Sequence, residues 1–238
     1  MLIMRDIGTT TFVALAMGGV ISPSLAFSQQ MDTPKLAKSA QASVDENKIY
    51  LASDTVTQMT NWILASADNH GMPFVVIDKI SAEVFVFDAH AQLLGATPAL
   101  LGIAQGDSSV PGIGHSDLAN IRPADRTTPA GRFLAGFGRA SGNRNVLWVD
   151  YPTSISLHPV VTTNKKERRL QRLASHSPKD NRITYGCINV SATFYNKIIR
   201  PLFTRTNGLV YILPETRPVE EVFPTFRRQL TERSERSP

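Results

Sequence analysis

Cys187 is the lone cysteine of this 238-residue chain. No internal disulfide can form, and a single thiol is too few for a structural zinc site. The five histidines, at 70, 90, 115, 158 and 176, show no ligand spacing, so neither a metal nor any other cofactor is expected. Aromatic residues make up 8% of the chain and are barely interleaved with its basic residues, which disfavours a base-stacking surface and hence a nucleic-acid partner. No internal repeat or low-complexity domain is present, and nothing in the residues sets an oligomeric state. Long apolar runs are also missing beyond the first residues. The run Thr10 to Ile21 is shorter than the ~20 residues a membrane span needs, and no later segment is apolar enough to cross a bilayer.

What is present at the start reads as an export signal. A short basic stretch, Met1 to Arg5, precedes the apolar run, and Ser24-Leu25-Ala26 offers small residues to a signal peptidase. Residues 1–26 are therefore expected to be a signal peptide cleaved after Ala26, with an uncleaved anchor as the alternative. After cleavage no stable membrane span remains, and the protein is expected to be exported, periplasmic or cell-wall associated. The hydrophobic content, 42%, suffices for one globular core. The net charge of +5 favours anionic partners, although much of the excess lies between Lys165 and Arg182 and in the tail.

Residues 27–43 form a polar stretch, expected as a flexible leader. Ser43-Val44-Asp45-Glu46 fits a capping box, and Ile49, Ala52, Val56, Met59 and Ile63 fall on one helical face, so a helix is predicted over 44–71. From Phe74 the period becomes that of strands: Phe74 to Asp78, Glu83 to Phe87, and Leu93 to Ile103 interrupted by Gly95 and Pro98. The Gly- and Pro-rich stretch Gly102 to Pro123 reads as a surface loop. Thr128-Pro129-Ala130-Gly131 is a tight turn into a strand, and Val146 to Tyr151 is the next strand. Ser154, Ser156 and His158 alternate with Ile155 and Leu157, which places the histidine on the more polar face. Thr162 to Ser175 reads as a basic helix, Ser191 caps a helix that ends near Gly208, and Leu209 to Leu213 is a last strand. Val219 to Leu230 is helical with an interruption at Pro224, and residues 215–238 are expected to form a charged tail.

A free thiol outside the cytosol risks oxidation, so Cys187 has two readings: a buried small hydrophobe or a nucleophile. Gly186 before it lets backbone amides approach a substrate carbonyl, as an oxyanion site requires.

Thr-Pro-Ala-Gly-Arg-Phe at 128–133, Ser-Leu-His at 156–158, Tyr-Gly-Cys-Ile-Asn at 185–189 and Gly-Leu-Val-Tyr-Ile at 208–212 occur in an order that resembles the L,D-transpeptidase catalytic domain (YkuD-type) family. The resemblance covers about Phe74 to Pro214. It implies a mainly β, sandwich-like catalytic fold over 72–214 with an N-terminal helix and flanking helices. It also implies an enzyme acting on peptidoglycan stem peptides through a cysteine thioester. Cys187 is then the nucleophile and His158 the base, with the amides of Tyr185, Gly186 and Cys187 as oxyanion donors. A main-chain carbonyl beside the histidine, here that of Pro159, orients the ring.

The chain departs from the family pattern at three points. Tyr185 stands where a second histidine is usual, Asn189 replaces a common arginine, and 29 positions separate His158 from Cys187. The added length is the basic segment 162–182, expected as a lid in which Arg172 and Arg182, with Asn189, recognise substrate carboxylates. His176 is the rival base. An L,D-carboxypeptidase at the same site and a non-catalytic wall-binding domain are the alternative functions. Secreted papain-like peptidases fit less well, because they place cysteine before histidine.

Overall fold

The computed structural model describes residues 41–42, 50–140, 142 and 144–226. The expected signal peptide, most of the expected leader and the capping box at 43–46 lie outside the described residues.

Two short strands, β1 (Gln41–Ala42) and β2 (Tyr50–Leu51), pair antiparallel ahead of helix α1 (Asp54–Ser66). The helix therefore begins later than the predicted residue 44. Ser53 is its cap: the side-chain oxygen accepts from the Val56 amide at 3.3 Å and donates to Asp78 Oδ2 at 2.9 Å, tying the helix start to the sheet. Val56, Met59, Trp62 and Ile63 form its buried face. The helix stops at Ala67, left-handed at φ 52°, whose amide returns to the Ile63 and Leu64 carbonyls.

The chain then runs through β3 (Phe74–Asp78), β4 (Glu83–Phe87), β5 (Leu93–Pro98), β6 (Leu101–Gly102), β7 (Gly131–Ala140), β8 (Arg144–Asp150) and β9 (Ile155–Pro159). Helix α2 (Arg169–Leu173), β10 (Arg182–Thr184), β11 (Ile188–Val190), α3 (Ala192–Phe194), α4 (Arg200–Phe203), β12 (Gly208–Ile212) and α5 (Val219–Val222) follow. The predicted basic helix over 162–175 is thus shorter. Arg168, at φ 51°, breaks it into a single 3-10 turn at Lys165–Glu167 and α2.

The protein is mainly β. Eight strands form a mixed sheet in the order β11-β9-β8-β7-β12-β3-β4-β5, with β12 parallel to β3 and β11 parallel to β9. Both β3 and β12 are buried along their whole length, as their unbroken apolar runs require. Their alternating side chains feed two cores. Val75, Ile77, Val210 and Ile212 join Leu147, Leu157, Ile188 and Phe194 on one face. Phe74, Val76, Leu209 and Tyr211 meet α1, Phe223 and Phe226 on the other. The sheet also curls: Leu100, just beyond β5, exchanges two hydrogen bonds of 2.8 and 2.9 Å with Asn189 on β11, so the two ends of the sheet meet.

A buried polar cluster fastens the connections. Lys79, fully buried, donates to the Gly106 carbonyl at 2.6 Å, Asp107 Oδ1 at 2.7 Å and the Thr128 carbonyl at 2.9 Å. Asp107 also accepts the amides of Glu215, Thr216 and Arg217. Arg182 donates to the Lys79 carbonyl at 2.7 Å and to Glu215 at 2.5 Å. Burial is the largest influence on Asp107 and pushes its carboxyl up, but the hydrogen bonds from Lys79 and Thr216 outweigh it and hold the group well below the usual carboxylate range. The charged tail expected from residue 215 is therefore anchored at its start, and Phe223 and Phe226 carry the fold into the second core. Replacing Lys79 with methionine should cost about 3–5 kcal/mol in urea unfolding, because Asp107 and Glu215 lose their buried cation. A loss under about 1 kcal/mol would show that the cluster tolerates an unpaired charge.

Candidate active site

Strand β11 lies parallel to β9 with Ile188 opposite Leu157 and Asn189 opposite His158. Side chains alternate along both strands, so Ser156 and His158 share one face with Cys187 and Asn189. That face opens into a cleft of 830 Å³, lined also by Tyr185, Trp148, Phe137, Leu118 and Ile121. Cys187 is partly exposed at the cleft surface, and the reading of a walled-in hydrophobe is set aside on that ground.

The turn carrying the thiol is held from every side. Gly186 has φ +123°, and a Cβ there would stand 2.6 Å from Ile155 Cδ1 and 2.7 Å from the Thr127 carbonyl oxygen. Only glycine fits this position without displacing backbone. Thr128 Oγ1 donates to the Gly186 carbonyl at 2.8 Å, while Thr184 Oγ1 accepts from the Gly186 amide at 3.1 Å and donates to the Cys187 carbonyl at 2.7 Å. The Gly186 amide is therefore occupied, which corrects its expected place among the oxyanion donors. The amides of Tyr185 and Cys187 have no hydrogen-bond partner among the described residues. Tyr185, in place of a second histidine, is covered by Arg126, whose guanidinium lies 3.9 Å from the ring centroid and also donates to the Ile121 carbonyl.

The thiol donates to the Ser154 carbonyl at 3.5 Å and lies 3.7 Å from Ser156 Oγ. It does not hydrogen-bond to His158 here, because both imidazole nitrogens are engaged. Nδ1 lies 2.8 Å from the Pro159 carbonyl, the contact the family resemblance implies, and Nε2 lies 3.0 Å from Asn189 Nδ2. Arg169 settles the orientation of that amide. A guanidinium can only donate, and Arg169 Nη1 is 2.9 Å from Asn189 Oδ1, so the asparagine turns its NH₂ towards the ring. Nε2 is then the acceptor and Nδ1 carries the proton. Burial, first, and then the charges of Arg144 and Arg169 push the His158 pKa below its ordinary value of 6.5, against the pull of the Pro159 carbonyl. The ring is neutral near pH 7.

No protein-family model matches the chain, and no curated protein matches it. In fold it is similar to L,D-transpeptidases. The solved structures it resembles include the L,D-transpeptidase of Xylanimonas cellulosilytica, at 13% identity over 59% of this chain and 60% of that one, TM-score 0.36. The catalytic domain of the E. faecium L,D-transpeptidase matches at 11% identity over 59% and 96%, TM-score 0.33. A helical cell shape determining protein of Campylobacter jejuni matches at 13% identity over 67% and 57%, TM-score 0.39. The chain thus spans about three fifths of the length of the Xylanimonas chain it matches. With TM-scores below 0.5, the functional reading rests on the site's own geometry.

The carboxylate-binding residues expected from the sequence are placed otherwise. Arg172 donates to the Glu167 and Asp180 carbonyls, and Arg182 pairs with Glu215 in the buried cluster; neither lines the cleft. Asn189 is 1% exposed and serves the histidine rather than a ligand. His176 is exposed and lies outside the cleft lining. Ser156, Thr128 and Arg169 are the contacts not assigned beforehand. Among the described residues no group of three or more His, Cys, Asp or Glu is arranged to hold a metal ion, and no helix is long and apolar enough to cross a membrane.

The ring's environment predicts its titration. Because the native state resists protonation, stability contributed here is present above about pH 6.5 and is lost as pH falls towards the lower native pKa. Histidine NMR should report a His158 pKa below 6.5, and Asn189→Asp, which sets a carboxylate beside Nε2, should raise it by about one unit or more. An unshifted value in both proteins would contradict the network.

Proposed function

We propose that the protein is a cysteine-dependent acyltransferase of the L,D-transpeptidase type, exported and acting on peptidoglycan stem peptides. The observation that carries the reading is the β9–β11 register, which sets the thiol and a neutral imidazole on one face of one cleft. In this reading Cys187 attacks a peptide carbonyl and forms a thioester with loss of the terminal residue as an amine. His158 takes the thiol proton at Nε2 and returns it to the leaving amine. Nε2 is occupied by Asn189 in the resting site, so the asparagine amide must swing aside when substrate arrives; catalytic hydrogen bonds often close only in the substrate complex. The two unpartnered amides, those of Tyr185 and Cys187, receive the developing oxyanion. Ser156 steadies the thiolate by donating to the sulfur. The acyl group then passes to the amine of a second stem, or to water in the carboxypeptidase variant of the same chemistry.

The test is covalent labelling. Incubation with a carbapenem should add one drug mass to the intact protein and none to Cys187→Ser. His158→Ala should slow labelling about 10²–10⁴-fold. A thiol that stays unmodified over hours would favour the non-catalytic wall-binding alternative.

A further inference from the structure

Among the described residues the cleft is lined by two arginines, Arg144 and Arg200, and by no aspartate or glutamate. Elsewhere Arg122, Arg132, Arg169, Arg182 and Arg217 each face a carboxylate, and Arg126 and Arg172 donate to backbone carbonyls. The side chains of Arg144 and Arg200 have no ion pair or hydrogen bond with any described residue. They come from distant parts of the chain and line the same cleft. Arg144 opens β8 and precedes Asn145, whose carbonyl accepts the Tyr195 hydroxyl at 3.1 Å, and the Arg200 charge acts on that same phenol.

The backbone is bent to bring Arg200 there. Between α3 and α4 the helix widens into a π-type turn, Tyr195–Ile199, closed by the Arg200 amide on the Tyr195 carbonyl. In a regular α-helix residues five apart point about 140° away from each other. The wider turn brings Arg200 round towards the side of the helix that carries Tyr195, and both line the cleft together with Asn196. Pro201 supplies the cause: it has no N–H for the Lys197 carbonyl, and its ring crowds that group out of the helix. Turns of this kind concentrate at functional sites.

We propose that Arg144 and Arg200 form a carboxylate-binding subsite on the Tyr195 wall of the cleft, which takes the free carboxylate of a peptide whose carbonyl reaches Cys187. This rests on the acyl-transfer reading for its position in the reaction, but its binding chemistry stands by itself. Guanidinium groups are weakly hydrated and match a carboxylate with paired donors, and Asn196 adds a neutral amide on the same wall. The subsite takes over the anion recognition expected of Arg172 and Arg182.

A titration in a thiol-free protein tests it. Cys187→Ser is titrated by NMR with acetyl-trialanine and with its C-terminal amide, at low salt and at about 0.5 M salt. The free acid should bind about tenfold more tightly than the amide, shift resonances of Tyr195 and Asn196, and lose its advantage at high salt. Arg144→Gln and Arg200→Gln, both surface substitutions, should each weaken the acid and leave the amide unchanged, with the thermal melt unaltered. Equal binding of the two peptides, binding of neither, or a preference that survives both substitutions overturns the subsite. Failure of Cys187 to acylate would leave the titration unaffected, so the two readings fail separately.

Discussion

Thr128 holds the Cys187 turn in place, and three distant segments converge on it. Its hydroxyl donates to the Gly186 carbonyl and accepts from the Gly102 amide, while its own carbonyl receives the buried ammonium of Lys79. The side chain is fully buried, so no water competes for these bonds. Through this residue the charged cluster around Asp107 is mechanically connected to the thiol. The position of Cys187 is thus a property of the whole connection between β5 and β7, rather than of the short strand that follows it.

The histidine is positioned by a second, separate constraint. Curling the sheet until Leu100 bonds to the backbone of Asn189 fixes that asparagine on one side, and the β9 pairing fixes it on the other. Its side chain is then free to do one thing, which is to bridge Arg169 and the imidazole. A donor on Nε2 and a carbonyl on Nδ1 select one tautomer, and burial of the ring, against the pull of that carbonyl, disfavours the cation. Two nearby guanidinium charges act in the same direction. The result is an imidazole held in one orientation, with both nitrogens engaged.

Much of this was legible in the sequence, and what was not has identifiable causes. Strands β3, β4, β8 and β12 announce themselves because they are apolar and bounded by Gly, Pro or Asp. The Cys187 turn, the His158 strand and the Pro159 carbonyl follow from local pattern and family resemblance. Helix α1 starts at Asp54 rather than at residue 44 because Ser53 caps it while bonding to Asp78, a partner that only folding brings alongside. The roles of the arginines were invisible for a similar reason. A run such as Lys165 to Arg172 states how much charge is present, whereas the partner of each charge depends on which carbonyl or carboxylate folding brings alongside. Arg169, two residues beyond Glu167, pairs with it and reaches Asn189; Arg172 turns back onto carbonyls of its own segment.

The same partition explains how a chain with a modest excess of +5 can present a cleft whose charged lining, among the described residues, is arginine alone. Asp107 and Glu215 are buried against Lys79 and Arg182, and Asp68 is taken by Arg132 and Tyr211 on the opposite side of β12 from the first core. Placing acidic groups there serves the fold, because each buried cation needs a counter-charge. It also keeps them out of the cleft, where a carboxylate beside His158 would raise the imidazole pKa. The segment 162–182 fits this division of labour. It contributes Arg169, through Asn189, to the histidine's surroundings and Arg182 to the buried cluster, so part of its charge serves the frame of the site while Lys165, Lys166, Arg168 and Lys179 stay exposed.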